Sequence, residues 1–132
     1  MLRKILIIDD DQELCEEMTE ILQEEGYSTS VAFDGLKAKK LIEKYDYDIL
    51  LLDLKIPGLN GLDILKSVKG GNTKLKVLII TGRPLVKKCL SEKAEVIEDK
   101  DEEALKLADG FINKPFNVET VLGKVKELMG AT

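Results

Sequence analysis

Asp48-Ile-Leu-Leu-Leu-Asp53-Leu-Lys-Ile-Pro57-Gly-Leu-Asn60-Gly61 is the stretch whose reading decides the fold. Four apolar residues, Ile49 to Leu52, run unbroken into Asp53. Pro57, Gly58, Asn60 and Gly61 then force the chain to turn. A continuous apolar run of this length, closed by turn residues, reads as a strand buried on both faces. The carboxylate of Asp53 therefore sits where a buried strand surfaces at its C-terminal end. In open parallel sheets that rim is where ligands bind. Asp53 alone would also suit an ordinary turn, so its meaning depends on what other segments bring to the same rim.

On the N-terminal side, Lys4-Ile-Leu-Ile-Ile8 is a short β-branched run, strand one, ending in Asp9-Asp10-Asp11. Leu14, Met18, Ile21 and Leu22 keep helical spacing from about Gln12 to Glu25, and Gly26 stops that helix. Asp10 or Asp11 can cap its start. Tyr27 to Ala32 is strand two, an edge strand by its Ser and Thr content. Asp34-Gly35 opens a second helix through Leu36, Leu41, Ile42 and Tyr45. Beyond Asp53, Asn60 can cap a third helix over Gly61 to about Lys69, ended by Gly70-Gly71. Leu75 to Ile80 is strand four, closed by Thr81-Gly82. Phe111-Ile112-Asn113 is a short strand five before Lys114-Pro115. Asn117 then caps a last helix whose stripe runs through Val118, Val121, Leu122, Val125, Leu128 and Met129. Alternating strands and helices imply a parallel sheet with helices on both faces, because parallel strands need crossovers.

The stretch from Gly82 to Phe111 is long for one crossover. It starts basic and amphipathic around Leu85, Val86, Cys89 and Leu90, turns acidic from Glu95 to Glu103, and predicts a further helix over about Asp101 to Ala108. It reads either as an extra solvated helical turn or as an element specific to a partner or to covering the rim beside Thr81.

Composition narrows the function. With 132 residues and 44% hydrophobic content the chain suits one globular domain. Its apolar runs are far too short to span a membrane, and the N-terminus lacks the long apolar core of a signal peptide. The chain stops after the last helix, so no output domain is expected. Cys15 and Cys89 make no disulfide framework and read as reduced thiols of a cytoplasmic protein. There is no histidine, which excludes chemistry by a histidine of this chain. A net charge of −5 argues against nucleic acid as the main partner.

Strands one, three, four and five end in Asp9-Asp10, Asp53, Thr81 and Lys114, and a parallel sheet puts all four ends on one rim. Each has a plain reading alone: a cap, a turn start, a strand end, a solvated lysine. Together they are far rarer by chance. Clustered carboxylates repel unless a cation sits among them. Mg²⁺ suits an all-oxygen site and accompanies phosphate. Lys114 offers positive charge for an anion, and Thr81 a donor. These are the parts for phosphoryl transfer to or from a carboxylate.

Ile7-Ile8-Asp9-Asp10-Asp11, Leu51-Leu52-Asp53 with Pro57-Gly58 and Gly61, Ile79-Ile80-Thr81-Gly82, and Phe111 with Lys114-Pro115-Phe116 resemble the receiver domain of bacterial two-component response regulators. The resemblance covers essentially residues 1–132, read as a single receiver domain. It implies a flavodoxin-like (CheY-like) three-layer α/β sandwich with a five-stranded parallel sheet of order 2-1-3-4-5, here with an extended crossover between strands four and five. It implies that Asp53 accepts a phosphoryl group from a histidine kinase or phosphotransfer protein. Asp10, Asp53 and the backbone carbonyl of Lys55 would bind Mg²⁺, with Asp9 acting through water. Lys114 would pair with the phosphoryl group, Thr81 would move to bond it, and Phe111 would turn inward. Phe111 has no hydroxyl, where many members have Tyr, so a switch there works by packing alone. The changed face would engage a downstream protein or a second phosphorylated copy. No membrane or direct nucleic-acid contact is implied. The module would not be an enzyme beyond self-catalysed phosphotransfer and autodephosphorylation. Lys55 and Arg83, two residues after Asp53 and Thr81, would tune the lifetime of the phosphoryl group.

Other functions fit less well. Phosphohydrolases of the haloacid-dehalogenase type also use strand-end Asp, Thr and Lys with Mg²⁺, but need a second Asp where this chain has Lys55. A pseudo-receiver that is never phosphorylated would not need the complete set of Asp, Thr and Lys. A nucleotide or flavin site lacks its phosphate loop after strand one.

Overall fold

A computed structural model describes residues 3–54, 61–71, 74–81, 106–113 and 116–130. Five strands and four helices are present among them: β1 (Lys4–Ile8), α1 (Gln12–Glu24), β2 (Ser28–Ala32), α2 (Gly35–Lys44), β3 (Ile49–Asp53), α3 (Gly61–Gly71), β4 (Lys76–Thr81), β5 (Gly110–Asn113) and α4 (Val118–Leu128). The strands form one parallel sheet of order β2-β1-β3-β4-β5. The edge position expected for the second strand is therefore observed.

Side-chain alternation along each strand builds two apolar layers. Leu6, Ile8, Leu50, Leu52, Val77 and Ile79 point to the side covered by α2 and α3, where Ala38, Ile64, Leu65 and Val68 meet them. Ile5, Ile7, Ile49, Leu51, Leu78 and Ile80 point to the side covered by α1 and α4, against Cys15, Met18, Leu22, Val121 and Val125. All five residues of β3 are buried, as an unbroken apolar run requires when helices cover both faces. Each such aliphatic side chain contributes roughly 1.5–3 kcal/mol when fully buried.

Helix starts follow the sequence. Asp11, Asp34 and Asn117 cap α1, α2 and α4, accepting from the N–H groups of Leu14, Lys37 and Thr120. Gly26 ends α1 at a φ of 94°, a left-handed conformation that favours glycine.

The strands match expectation to within a residue at each end, and the helices differ in two places. α3 runs through Gly70 to Gly71 instead of stopping at Lys69. Glycine weakens a helix by only about 1 kcal/mol, and Lys69 ties this last turn down by bonding Leu75 O and pairing with Asp109. Of the helix expected over 101–108, residues 101–105 lie outside the described set, and Lys106 and Leu107 form a turn. The expected cap Asn60 and the part of the crossover over residues 82–105 also lie outside it.

Candidate functional site

The rim at the C-terminal ends of the strands is level because the ladder is in register. Ile8 pairs with Leu52, Asp53 with Ile80, and Thr81 with Asn113. Asp9 is therefore the first residue beyond β1 and Asp53 the last of β3, on adjacent strands. Asp9 and Asp53 are both buried, whereas Asp10 is exposed. One carboxylate oxygen from each of Asp9, Asp10 and Asp53 lies within 4.8 Å of the others.

Asp9 is positioned by its own surroundings. Its N–H donates to Ala32 O at 3.1 Å, its Oδ1 accepts from the Asp11 N–H at 3.0 Å, and its carbonyl accepts from the Cys15 thiol at 3.4 Å. The same Asp11 that caps α1 thus also orients Asp9. Asp53 is constrained from the other side by Gly61, the first residue of α3. A Cβ there would lie 2.8 Å from Leu54 Cα and 3.1 Å from Asp53 O. Only glycine lets α3 start this close to the backbone that follows Asp53.

Three oxygen donors at this spacing fit a hard divalent cation, which takes carboxylate and water ligands and offsets their repulsion. Two of the three are buried, where unbalanced charge costs most. One Asp9 oxygen is engaged by the Asp11 N–H.

The remaining residues singled out by sequence divide into two groups. Thr81 ends β4 on the same rim, and Phe111 is the second residue of β5, with its ring 41% exposed. Lys55, Arg83 and Lys114 lie outside the described residues. From the sequence Cys15 reads as a reduced core or surface thiol and Gly61 as a turn residue at a helix start. Their contacts with Asp9 and with the backbone after Asp53 depend on tertiary packing, which no local pattern announces. The cleft between α2 and α3, lined by Lys39, Ile42, Ile64 and Val68 among others, includes none of the three aspartates.

The family model for the response regulator receiver domain matches residues 5–126. The chain belongs to that family. This receiver domain is a signalling module of the two-component type. It is 31% identical over 129 residues to response regulator MprA of Mycobacterium tuberculosis, covering 98% of this chain and 51% of that protein. It thus spans about half the length of such curated relatives. It is 33% identical over 129 residues to sporulation initiation phosphotransferase F of Bacillus subtilis, covering 98% of this chain and 95% of that one. Among solved structures, a CheY-like receiver from Methanospirillum hungatei superposes with a TM-score of 0.80 at 27% identity, over 98% and 96% of the two chains. TrrA of Thermotoga maritima, solved in complex with Mg²⁺-BeF, superposes with a TM-score of 0.77 at 28% identity, over 96% and 99%. The flavodoxin-like sandwich expected from the sequence is the fold observed. Among the described residues no helix is long and apolar enough to cross a membrane.

Proposed function

We propose that Asp53 is the phosphoryl acceptor of a phosphorelay. The observation that carries this reading is the meeting of Asp53 with Asp9 and Asp10 within 4.8 Å at one rim. An Asp53 carboxylate oxygen forms a bond to phosphorus as the bond from phosphorus to the donor's imidazole nitrogen breaks. The donor is a histidine kinase or phosphotransfer protein, since this chain has no histidine of its own. Asp10, Asp53 and the backbone carbonyl of Lys55 would hold Mg²⁺, with Asp9 reaching it through water. The cation's contribution is charge neutralisation, which lets three carboxylates and an incoming phosphoryl group share one site. The Mg²⁺ in the TrrA complex supports that assignment.

In this reading residues 1–132 are one receiver domain working in the cytoplasm. Lys114 pairs with the phosphoryl oxygens and Thr81 donates to them. Phosphorylation adds about −1.5 to −2 charge, enough to order neighbouring loops through charge-assisted bonds. Phe111, half-exposed before the event, then turns inward by packing alone. The changed face of β5, α4 and the segment after Thr81 engages a downstream protein or a second phosphorylated copy. The name of the Bacillus relative, a phosphotransferase, supports onward transfer to another protein. The chemistry is confined to uptake and self-catalysed loss of the group, with no small-molecule substrate and no direct nucleic-acid contact.

Incubation with Mg²⁺ and a small acyl phosphate, followed by intact mass, is expected to show one phosphoryl adduct that disappears in Asp53→Asn. No adduct, or one that persists in the variant, overturns the reading. Lys55 and Arg83, two residues after Asp53 and Thr81 in the sequence, would set the adduct's lifetime. Lys55→Ala combined with Arg83→Ala is expected to change the rate of loss, and an unchanged rate removes both from that role.

A further inference from the structure

The open edge of the sheet carries a groove that the aspartate rim does not use. It runs between α1 and β2, walled by Glu16, Thr19 and Glu20 on the helix, by Val31 on the strand and by Phe33 just past its end. Among the described residues β2 pairs with β1 alone. That pairing shows which backbone groups are engaged. Ser28 donates its N–H to Arg3 O, and Ala32 O accepts from Asp9. Along a strand, alternate residues turn their backbone groups to opposite sides. Thr29 and Val31 therefore turn their N–H and C=O away from β1, toward the open edge.

The same alternation puts the Thr29 and Val31 side chains on the α1 side. Val31 packs against the layer under α1 and α4, and Thr29 accepts from Gln23 Nε2. The Phe33 ring, 42% exposed, extends the apolar floor. Thr19 Oγ1, on the groove wall, is shut off from water and has no hydrogen-bond partner among the described residues. Unpaired backbone and an apolar floor thus coincide.

Charge decides the occupant. No lysine or arginine lies between Lys4 and Lys37, while α1 and its end carry Glu13, Glu16, Glu17, Glu20, Glu24 and Glu25. Glu25 pairs with Lys126 at the far end of the helix, but Glu16 and Glu20 have no ion-pair partner among the described residues. We propose that this groove docks an extended, basic segment of a partner protein. The segment adds a strand to the edge of β2, lays apolar side chains over Val31 and Phe33, and sets Lys or Arg against Glu16 and Glu20. A second copy of this chain is a poor occupant. Two β2 edges paired antiparallel about a two-fold axis keep both α1 helices on the same side, acid against acid.

A capped peptide of sequence Lys-Thr-Val-Thr-Val-Thr-Lys presents lysine and valine on one face of a strand. Titrated into isotope-labelled full chain, it is expected to shift the amide signals of Thr29, Val31 and Phe33 saturably. Replacing both lysines by glutamate, or the central threonine and the valine after it by two prolines, should abolish those shifts, because one of two adjacent N–H groups faces β2 in either strand direction and proline has none. Glu16→Lys with Glu20→Lys should weaken binding about tenfold, with the circular dichroism spectrum unchanged. Phe33→Ser, at a half-exposed ring, should weaken it as well. Three results would overturn the proposal: no shifts at millimolar peptide, shifts centred on another face, or equal binding by the proline peptide, which would show charge attraction without strand addition.

Discussion

Asp10, a metal ligand in the proposed reading, works against the fold when no cation is bound. Asp10 is the exposed member of the trio, and its charge faces those of Asp9 and Asp53 within 4.8 Å. Without a cation these like charges oppose folding. Asp10→Asn is therefore expected to raise metal-free stability by about 0.5 kcal/mol, the scale of an exposed charge interaction. The same change should remove stabilisation by Mg²⁺. In the wild type that stabilisation should reach about 2.7 kcal/mol when Mg²⁺ is roughly a hundredfold above its Kd. Urea unfolding with and without Mg²⁺ reads both effects. A variant that gains as much from Mg²⁺ as the wild type does would take Asp10 out of the metal site. Asp9 is a different kind of residue, fixed through Asp11 and Cys15, so its substitution would disturb the start of α1 as well as the site.

At the level of elements, the two rims of the sheet do different work. The C-terminal rim collects the carboxylates, and the N-terminal rim is stapled by Asp48 and Asp109. Asp48 N–H donates to Lys4 O, its Oδ2 accepts from the Lys4 N–H, and its carbonyl accepts from Lys76 N–H, which joins the starts of β1, β3 and β4. Asp109 Oδ2 accepts from Val77 N–H at 2.8 Å and pairs with Lys69 at 2.6 Å, which joins α3, β4 and the start of β5. Both partners of that ion pair are mostly shielded from water, so the contact is worth more than a surface pair. Asp109→Ala should cost about 2 kcal/mol, since it leaves Val77 N–H without its acceptor and Lys69 without its counter-ion. It should leave phosphoryl uptake from a small donor intact, because it lies at the opposite end of the strands. Urea midpoints and intact mass test the two halves. Lost uptake in a variant that is still folded would mean that the rims are coupled.

Across the whole molecule, both apolar layers grow from the central strands β1, β3 and β4, and neither persists if the sheet opens. Ile5 and Ile7 serve one layer while Leu6 and Ile8 serve the other, along one strand. A domain of this size and build should unfold in a single cooperative step. In a Cys89→Ser background, protection of buried Cys15 from a thiol reagent should be lost at the same urea concentration as far-UV circular dichroism. Earlier exposure of Cys15 would show that the α1–α4 layer opens separately. The strands, the helix caps at Asp34 and Asn117, a cap at Asp10 or Asp11, and the placing of Asp9, Asp10, Asp53 and Thr81 at strand ends were legible in the sequence. Burial on one or two faces, capping and turn chemistry are written in neighbouring residues. The strand order came from resemblance to a family, not from periodicity, which carries no record of which strand lies beside which. Only the tertiary structure decided that three carboxylates approach within 4.8 Å, that a thiol lies under Asp9, that Asp109 clasps Lys69, and that β2 keeps an acid-rimmed open edge. Each of these depends on the register and packing of segments far apart in the chain, and such contacts leave no periodic trace in the residues that make them.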